Sequence, residues 1–252
     1  MAKLKVICNY LEKHLKLAET PDYPTALNGL QLQNGGDVKR IVAAVDACLP
    51  VVRQAVEQGA DLLLVHHGMF WQGAQKIEGS QYEKLKLAIE NDLAIYSAHI
   101  PLDVHPVVGN NVLFAKALGL KNLKPFFAWK GIQLGLRSST QIPREVLMER
   151  VGKAVGGGAV HLCPGGPEKI RQVGVITGGA GSEIYAAAAE GIDTFITGEG
   201  PHWSYTAAEE LGVNVIYAGH YATETFGVKA LAKHLAAKYK ADWDFVDHPT
   251  GL

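Results

Sequence analysis

The sequence is poor in cysteine and has no long apolar run, and each absence excludes some classes of protein. Its three cysteines, Cys8, Cys48 and Cys163, lie far apart and form no CxxC pair. This spacing indicates neither a disulfide framework nor a thiolate zinc site. No stretch approaches the ~18 consecutive apolar residues of a membrane span, and the charged N-terminus lacks the apolar core of a signal peptide. We therefore expect a cytoplasmic protein with no membrane partner.

The sequence also lacks an excess of charge of one sign. Its 24 Lys and Arg balance 25 Asp and Glu, so it has no overall basic field to draw it to phosphate backbones, and nucleic acid is not expected as a partner. No GxGxxG follows the first predicted strand, which disfavours a dinucleotide-binding oxidoreductase. Hydrophobic residues make up 48% of the chain, which is typical of a packed globular protein.

Apolar runs of strand length alternate with segments of helical periodicity, which predicts an α/β fold with mostly parallel sheets. We predict strands at 40–47, 61–65, 93–98, 132–138, 159–162, 173–177, 192–197, 213–218 and 243–247, and helices at 6–17, 49–58, 81–91, 110–118, 143–154, 182–190 and 224–239. The pattern breaks at 122–130. We therefore predict two similar lobes, 1–125 and 126–252, with the C-terminal helix able to pack back on the first lobe.

The two halves of the sequence show an internal similarity. Segment 41–68 overlays 173–200 without a gap, and 96–103 overlays 217–224. The matched pairs include Gly59 with Gly191, Asp61 with Asp193, His99 with His220, and Asp103 with Glu224. Any two βαβ units can share such a pattern; a true duplication would present equivalent strand ends to one cleft between the lobes.

The strongest local signal is a pair of adjacent histidines, His66 and His67, after four apolar strand residues. They stand at the carboxyl end of a predicted strand, where open parallel sheets place their ligand crevice. Adjacent side chains on an extended strand point in opposite directions, but a turn at Gly68 could bring both rings to one pocket. The alternative is one core histidine beside one exposed histidine.

Two other strand ends carry a histidine followed four residues later by a carboxylate: His99 with Asp103, and His220 with Glu224. This spacing puts both side chains on one face of a helical turn. Histidine with Asp or Glu suits Zn²⁺, Mn²⁺ or Fe²⁺, and two such ions can share a water. We therefore predict a site for two divalent metal ions, Zn, Fe or Mn. Its ligands would be His66, His67, Asp103, His220 and Glu224.

A set of motifs resembles the GTP cyclohydrolase 1 type 2 family, also called the NIF-three-like family, over nearly the whole chain. The motifs are NGLQ at 28–31, VHHGMFW at 65–71, HIPLDVHP at 99–106 with GNN at 109–111, TGE at 197–199 and GHYATE at 219–224. The resemblance implies a two-lobed α/β fold, a toroidal homohexamer and a dinuclear metal centre in the cleft. The short span at 129–143 resembles members that lack an inserted domain.

The same resemblance implies a role for each residue. His66 and Asp103 would serve one ion, His67 and His220 the other, and Glu224 would touch both. His99 would contact the substrate, or it would orient the metal ligands without itself binding an ion.

A glycine-rich loop, ITGGAGSE at 176–183, lies between a predicted strand and a predicted helix. Its glycines and the helix N-terminus could receive an anion or phosphate. It has neither the full GxGxxG nor the lysine of a P-loop, and glycine-rich turns also arise for steric reasons alone.

These features favour a metal-dependent, cyclohydrolase-like hydrolase acting on a small anionic or nucleotide-like molecule. His99 or Glu199 would move the proton as catalytic residues. The alternative is a metal-binding scaffold or regulatory protein that acts through a ring-shaped homo-oligomer without turnover.

Overall fold

The computed structural model describes residues 2–252, which form two compact units. The first unit comprises the described residues up to Leu102 together with Gly227–His248. The second comprises Asp103–Phe226 and Pro249–Leu252. Within residues 2–252, no helix has both the length and the apolar character needed to cross a membrane.

The observed elements follow the predicted alternation of strands and helices. The strands are β1 Ala2–Lys3, β2 Gly29–Leu32, β3 Asp37–Val38, β4 Arg40–Asp46, β5 Leu62–His67, β6 Ala94–Ser97, β7 Lys124–Trp129, β8 Ile132–Pro143, β9 His161–Pro164, β10 Lys169–Val175, β11 Thr194–Thr197, β12 Asn214–Tyr217 and β13 Asp242–Phe245. The helices are α1 Leu4–His14, α2 Leu49–Glu57, α3 Gly79–Glu90, α4 Ile100–Asp103, α5 Asn110–Ala117, α6 Arg144–Ala154, α7 Ile184–Ala189, α8 Trp203–Leu211 and α9 His220–Tyr239.

The first unit is built on a five-stranded sheet in the order β13-β4-β5-β6-β2. Its pairings are parallel except that of β2 with β6. The central strands β4 and β5 are continuous apolar runs, and the side chains of Ile41 to Val45 and Leu62 to Val65 are all buried. Such runs form strands that are covered on both faces, as parallel sheets require. The prediction of a mostly parallel sheet therefore holds for this unit.

The second unit is built on a six-stranded sheet in the order β7-β8-β10-β11-β12-β9. Only β10, β11 and β12 run parallel, so the prediction of a mostly parallel sheet is wrong here. The segment expected to break the pattern is strand β7, and it forms a hairpin with β8. Lys130 and Gly131 join the two strands with φ of 45° and 88°, and two consecutive positive φ values are what the tightest hairpin turns require.

The bounds of the units differ from the predicted division near residue 125. Helix α5 precedes that position, yet Phe114 and Ala115 pack with Leu147, Val151 and Val173 in the core of the second unit. The last strand, β13, pairs in parallel with β4, so residues 227–248 belong to the first unit. Both differences arise from long-range packing. Helix α8 was also absent from the sequence prediction.

The internal similarity between segments 41–68 and 173–200 is accompanied by equivalent hydrogen bonds within each unit. Gly59 and Gly191 end their helices with φ of 68° and 79°. Two residues later, one carboxylate oxygen of each aspartate accepts two main-chain N–H groups: Asp61 from Lys39 and Arg40, and Asp193 from Arg171 and Gln172. A shared apolar pattern alone would not produce this detail, which supports a duplicated βαβ unit.

Candidate metal centre

Three histidines of the first unit form a cluster at the carboxyl ends of β5 and β6. His66, His67 and His99 each offer a ring nitrogen, and the three atoms lie within 4.8 Å of one another. The ring centroids of the adjacent pair are only 4.8 Å apart, and that of His99 lies 4.9 Å from His66. Both adjacent histidines therefore belong to one cluster, and His66 is completely buried.

Each histidine of this cluster is held at Nδ1 by an oxygen atom. The pairs are His66 with the Ala98 carbonyl at 2.9 Å, His67 with Asp46 Oδ1 at 2.8 Å, and His99 with Asp22 Oδ1 at 2.8 Å. A carbonyl or carboxylate oxygen can only accept, so Nδ1 carries the hydrogen and Nε2 carries the lone pair. Metal-binding histidines are oriented in this way, with the far nitrogen donating to a carboxylate or carbonyl.

The carboxylate of Asp22 organises the start of the loop after β6. It accepts from His99 Nδ1 and from the Ile100 main chain, while Asn28 Nδ2 donates to it at 2.7 Å. Burial by itself raises the pKa of Asp22, but the hydrogen bonds and charge of His99, with Asn28 and the Tyr23 main chain, outweigh it and lower the pKa. Asp22 is therefore held as a carboxylate.

Sequence reasoning missed Asp22 and Asp46. Asp46 is the polar residue that ends β4, so the signal for it was the same strand-end position that identified the histidines. Asp22 lies in a loop far from His99 in sequence, and no spacing could have paired the two.

The Gln31 side chain lies against the Cα of Gly68, the residue that follows the paired histidines. A Cβ added at Gly68 would lie 2.1 Å from Gln31 Nε2. Gln31 in turn accepts the N–H of Met69 at 2.7 Å. This contact fixes the chain as it leaves β5. Trp71 then packs edge-on against His99, with ring centroids 4.7 Å apart.

The second unit carries the acidic part of the predicted site. His220 and Glu224 stand one turn apart at the start of α9, and His220 Nε2 lies 3.2 Å from Glu224 Oε2. A carboxylate oxygen of Asp103 lies within 4.8 Å of one of Glu224. Both acids are nearly completely buried, with exposed fractions of 6% and 2%. The four-residue spacing thus places His220 and Glu224 together, as predicted.

Glu199 accepts from Nδ1 of His220 at 2.8 Å, which repeats the orientation seen for the three histidines of the first unit. Burial lowers the pKa of His220, but Glu224 and then Glu199 outweigh it and raise the pKa to about 9. Without a cation this imidazole is therefore protonated at neutral pH. A metal ion on Nε2 would take the place of that proton.

Asp103 ends the short helix α4 and is fixed by neighbouring polar side chains. Asn110 Nδ2 donates to its Oδ1 at 2.8 Å. Asn111 Oδ1 accepts both the N–H and the hydroxyl of Thr177. The GNN motif therefore supports the acidic part of the site.

The glycine-rich loop makes room for the same acidic groups. A Cβ at Gly178 would lie 2.2 Å from Glu224 Oε1, and one at Gly179 would lie 3.5 Å from His220 Nδ1. The N–H of Gly178 already donates to Thr223 Oγ1. A phosphate here would face Glu199 and Glu224, which disfavours anion binding and favours the steric explanation of these glycines.

The structure thus places the predicted site residues in two sets. His66, His67 and His99 lie together in the first unit; Asp103, Glu199, His220 and Glu224 lie in the second. Imidazole nitrogens and carboxylate oxygens, without thiolates, are the donors of Zn²⁺, Mn²⁺ and Fe²⁺ sites. With Nδ1 of every histidine bound to an oxygen, each set fits such a cation.

Known proteins match the chain over nearly its whole length. The model of the family described as Duf34/NIF3 (NGG1p interacting factor 3) matches residues 2–248. Two curated proteins, each named GTP cyclohydrolase 1 type 2 homolog, are similar to it. That of Deinococcus radiodurans is 44% identical, covering 98% of this chain and 93% of the relative. That of Pyrococcus abyssi is 41% identical, covering 98% of each chain.

A solved structure described as "Structural genomics, protein ybgI, unknown function" is also similar. It is 33% identical, with a TM-score of 0.92 over 99% of this chain and 100% of the solved one. Together with the family match, this full-length likeness leads to one conclusion: the chain belongs to the Duf34/NIF3 (NGG1p interacting factor 3) family.

Proposed function

We propose that the two sets of ligands act together on two divalent metal ions, and that the protein is a hydrolase of a small anionic or nucleotide-like substrate. The ligands would be His66, His67, Asp103, His220 and Glu224. The observation that carries the proposal is the common orientation of the histidines. Each histidine of both sets has its Nδ1 hydrogen-bonded to an oxygen, so Nε2 is the nitrogen that each can offer to a cation.

This arrangement supports metal binding because, without a cation, its buried carboxylates are unfavourable in free energy. Three carboxylates each accept a hydrogen bond from the Nδ1 of a histidine: those of Asp22, Asp46 and Glu199. The acids Asp103 and Glu224 are buried close together, and burial of two like charges is unfavourable unless a cation or proton compensates them. Divalent ions would compensate this charge.

When bound, the pair of ions would lower the pKa of a shared water and stabilise negative charge on the substrate. The chain itself supplies the orientation. Asp46 and Glu199 hold His67 and His220 in the tautomer that leaves Nε2 available. We propose that His99, held by Asp22, moves a proton at its Nε2. We propose that Glu199, whose side chain is about half exposed, orients His220 and also transfers a proton.

The names of the curated relatives support a nucleotide-like substrate, since each is called a homologue of a GTP cyclohydrolase. The resemblance to the family also supports a toroidal homohexamer acting in the cytoplasm, and both are part of this proposal.

The first experiment counts ions. Elemental analysis of protein purified without chelators should give about two Zn, Fe or Mn ions per chain. Glu224→Gln keeps the shape of the side chain and removes its charge, so it should lose at least one ion. The control is Glu210→Gln, an exposed glutamate of the same unit, which should keep both. Wild-type values near zero would contradict the metal centre.

The second experiment measures turnover. Metal-loaded wild type, Glu224→Gln and Glu210→Gln are assayed against nucleotides and phosphoesters. Hydrolysis that is lost only in Glu224→Gln supports the hydrolase. A protein that keeps its ions and its oligomer but turns over no member of the panel would favour the scaffold function instead.

A further inference from the structure

A cavity of about 450 Å³ lies in the second unit, beside the turn that carries Glu199. This volume is in the range of sites for small organic ligands. Aromatic rings and small residues form its wall: His161, Cys163, Gly200, Pro201, His202, Ser204, Tyr205 and Tyr217. These residues come from β9, β12, the loop after β11 and the start of α8, which only the folded chain brings together.

The rings in this cavity offer flat surfaces. His161 and Tyr217 are cross-strand partners in β9 and β12. Their ring planes are within 10° of parallel, with centroids 6.4 Å apart. Tyr205 adds a third ring, 6.0 Å from His161. Nearly parallel aromatic rings in the wall of one cavity are suited to stacking against a planar ligand.

The hydroxyl of Tyr217 is one polar group of the cavity. Ser204 Oγ donates to the Pro201 carbonyl and is also hydrogen-bonded to the Tyr217 hydroxyl. Because the single hydrogen of Ser204 goes to the carbonyl, Tyr217 must be the donor to Ser204. The Tyr217 oxygen therefore keeps lone pairs that can accept an N–H from a ligand.

The lining contains no lysine, arginine, aspartate or glutamate. Cys163 is buried, and burial raises the pKa of its thiol to about 11, so it is neutral at physiological pH. The cavity therefore has no permanent charge with which to bind a phosphate. It suits the uncharged part of a ligand.

We propose that this cavity binds a planar nitrogen heterocycle of the nucleobase type, stacked on His161 and Tyr217, with an N–H of the ring or of its exocyclic amino group donating to the Tyr217 hydroxyl. This inference rests on the proposed function and specifies its substrate. Gly200 lines the cavity and directly follows Glu199, which holds His220. A Cβ at Gly200 would lie 2.6 Å from the Tyr217 hydroxyl, so the ring site and the Glu199 turn are in direct contact. The remainder of a nucleotide could then extend from the ring toward His220.

The test measures binding of guanosine, adenosine and ribose to the full-length protein by isothermal titration calorimetry. The two nucleosides should bind and ribose should not. His161→Ala removes one stacking surface from an exposed position on an edge strand, so the fold should tolerate it. It should raise the nucleoside Kd about fivefold or more. Tyr217→Phe keeps the ring and removes the acceptor, and should raise the Kd about two- to tenfold. The matched control, Tyr185→Ala, removes an exposed ring outside the cavity and should leave the Kd unchanged.

Equal binding of ribose and nucleosides, or a His161→Ala variant with unchanged nucleoside affinity, would overturn the proposal. The proposal would also be overturned if a second copy of the chain covers the cavity. That outcome would be seen as absent nucleoside binding together with a changed oligomeric state in His161→Ala. The same titrations on EDTA-treated protein separate the two proposals. Nucleoside binding that persists there would support the ring site independently of the metal ions. Metal-loaded protein that binds nucleosides but hydrolyses no nucleotide would retain the ring site and remove the hydrolase.

Discussion

Substitution of Gly178 by alanine should lower the ion content of the metal site while leaving the protein folded. Gly178 has φ of +71°, and a Cβ there would lie 2.2 Å from Glu224 Oε1. The carboxylate would have to move by roughly 1 Å to reach an ordinary carbon–oxygen contact. Metal–ligand distances tolerate only about 0.2 Å, so Glu224 should no longer bind an ion.

The cost in stability can be separated from the effect on the site. Alanine in the left-handed region costs about 1–2 kcal/mol, and each kcal/mol lowers Tm by about 2–4 °C in a chain of this size. Gly191 is the matched control because its φ is +79° and a Cβ there would contact nothing within 4 Å. Gly191→Ala should therefore show the loss of Tm without loss of ions.

The assay combines elemental analysis with thermal unfolding followed by circular dichroism. We expect both variants to be folded, with a lower ion content per chain in Gly178→Ala alone. If Gly178→Ala retained the wild-type ion content, with the same Tm as Gly191→Ala, the steric reasoning about Glu224 would be refuted.

Three further outcomes are expected. Asp46→Asn should weaken metal affinity about 10- to 100-fold, measured by competition with a chelator, because His67 loses the carboxylate that orients it; unchanged affinity would show that Asp46 has no such role. Cys8 is buried with its pKa raised to about 11, so roughly 0.1% is thiolate at pH 8 and iodoacetamide should label the partly exposed Cys48 first. Labelling of Cys8 should accelerate as pH rises toward 11, and rapid labelling at pH 8, read by peptide mass spectrometry, would contradict its burial. Asp61→Ala removes two hydrogen bonds to main-chain N–H groups, which should cost about 1–3 kcal/mol in urea unfolding; a cost near zero would remove the evidence that this aspartate fixes the βαβ unit.

The sequence by itself determined the elements that local periodicity and strand-end chemistry specify. Continuous apolar runs identified β4 and β5, because strands covered on both faces must be apolar throughout. The four-residue spacing identified His220 with Glu224, because that interval places two side chains on one face of a helical turn. The pair His66-His67 stood out because it ends an apolar strand.

Tertiary structure alone decided the pairings that depend on distance along the chain. The sheet order, the antiparallel hairpin of β7 and β8 and the return of β13 to β4 follow from long-range packing, which periodicity does not encode. The same reason explains the partners of the histidines. Asp22 lies 77 residues from His99, and only the folded chain brings a carboxylate to the Nδ1 that leaves Nε2 to a metal.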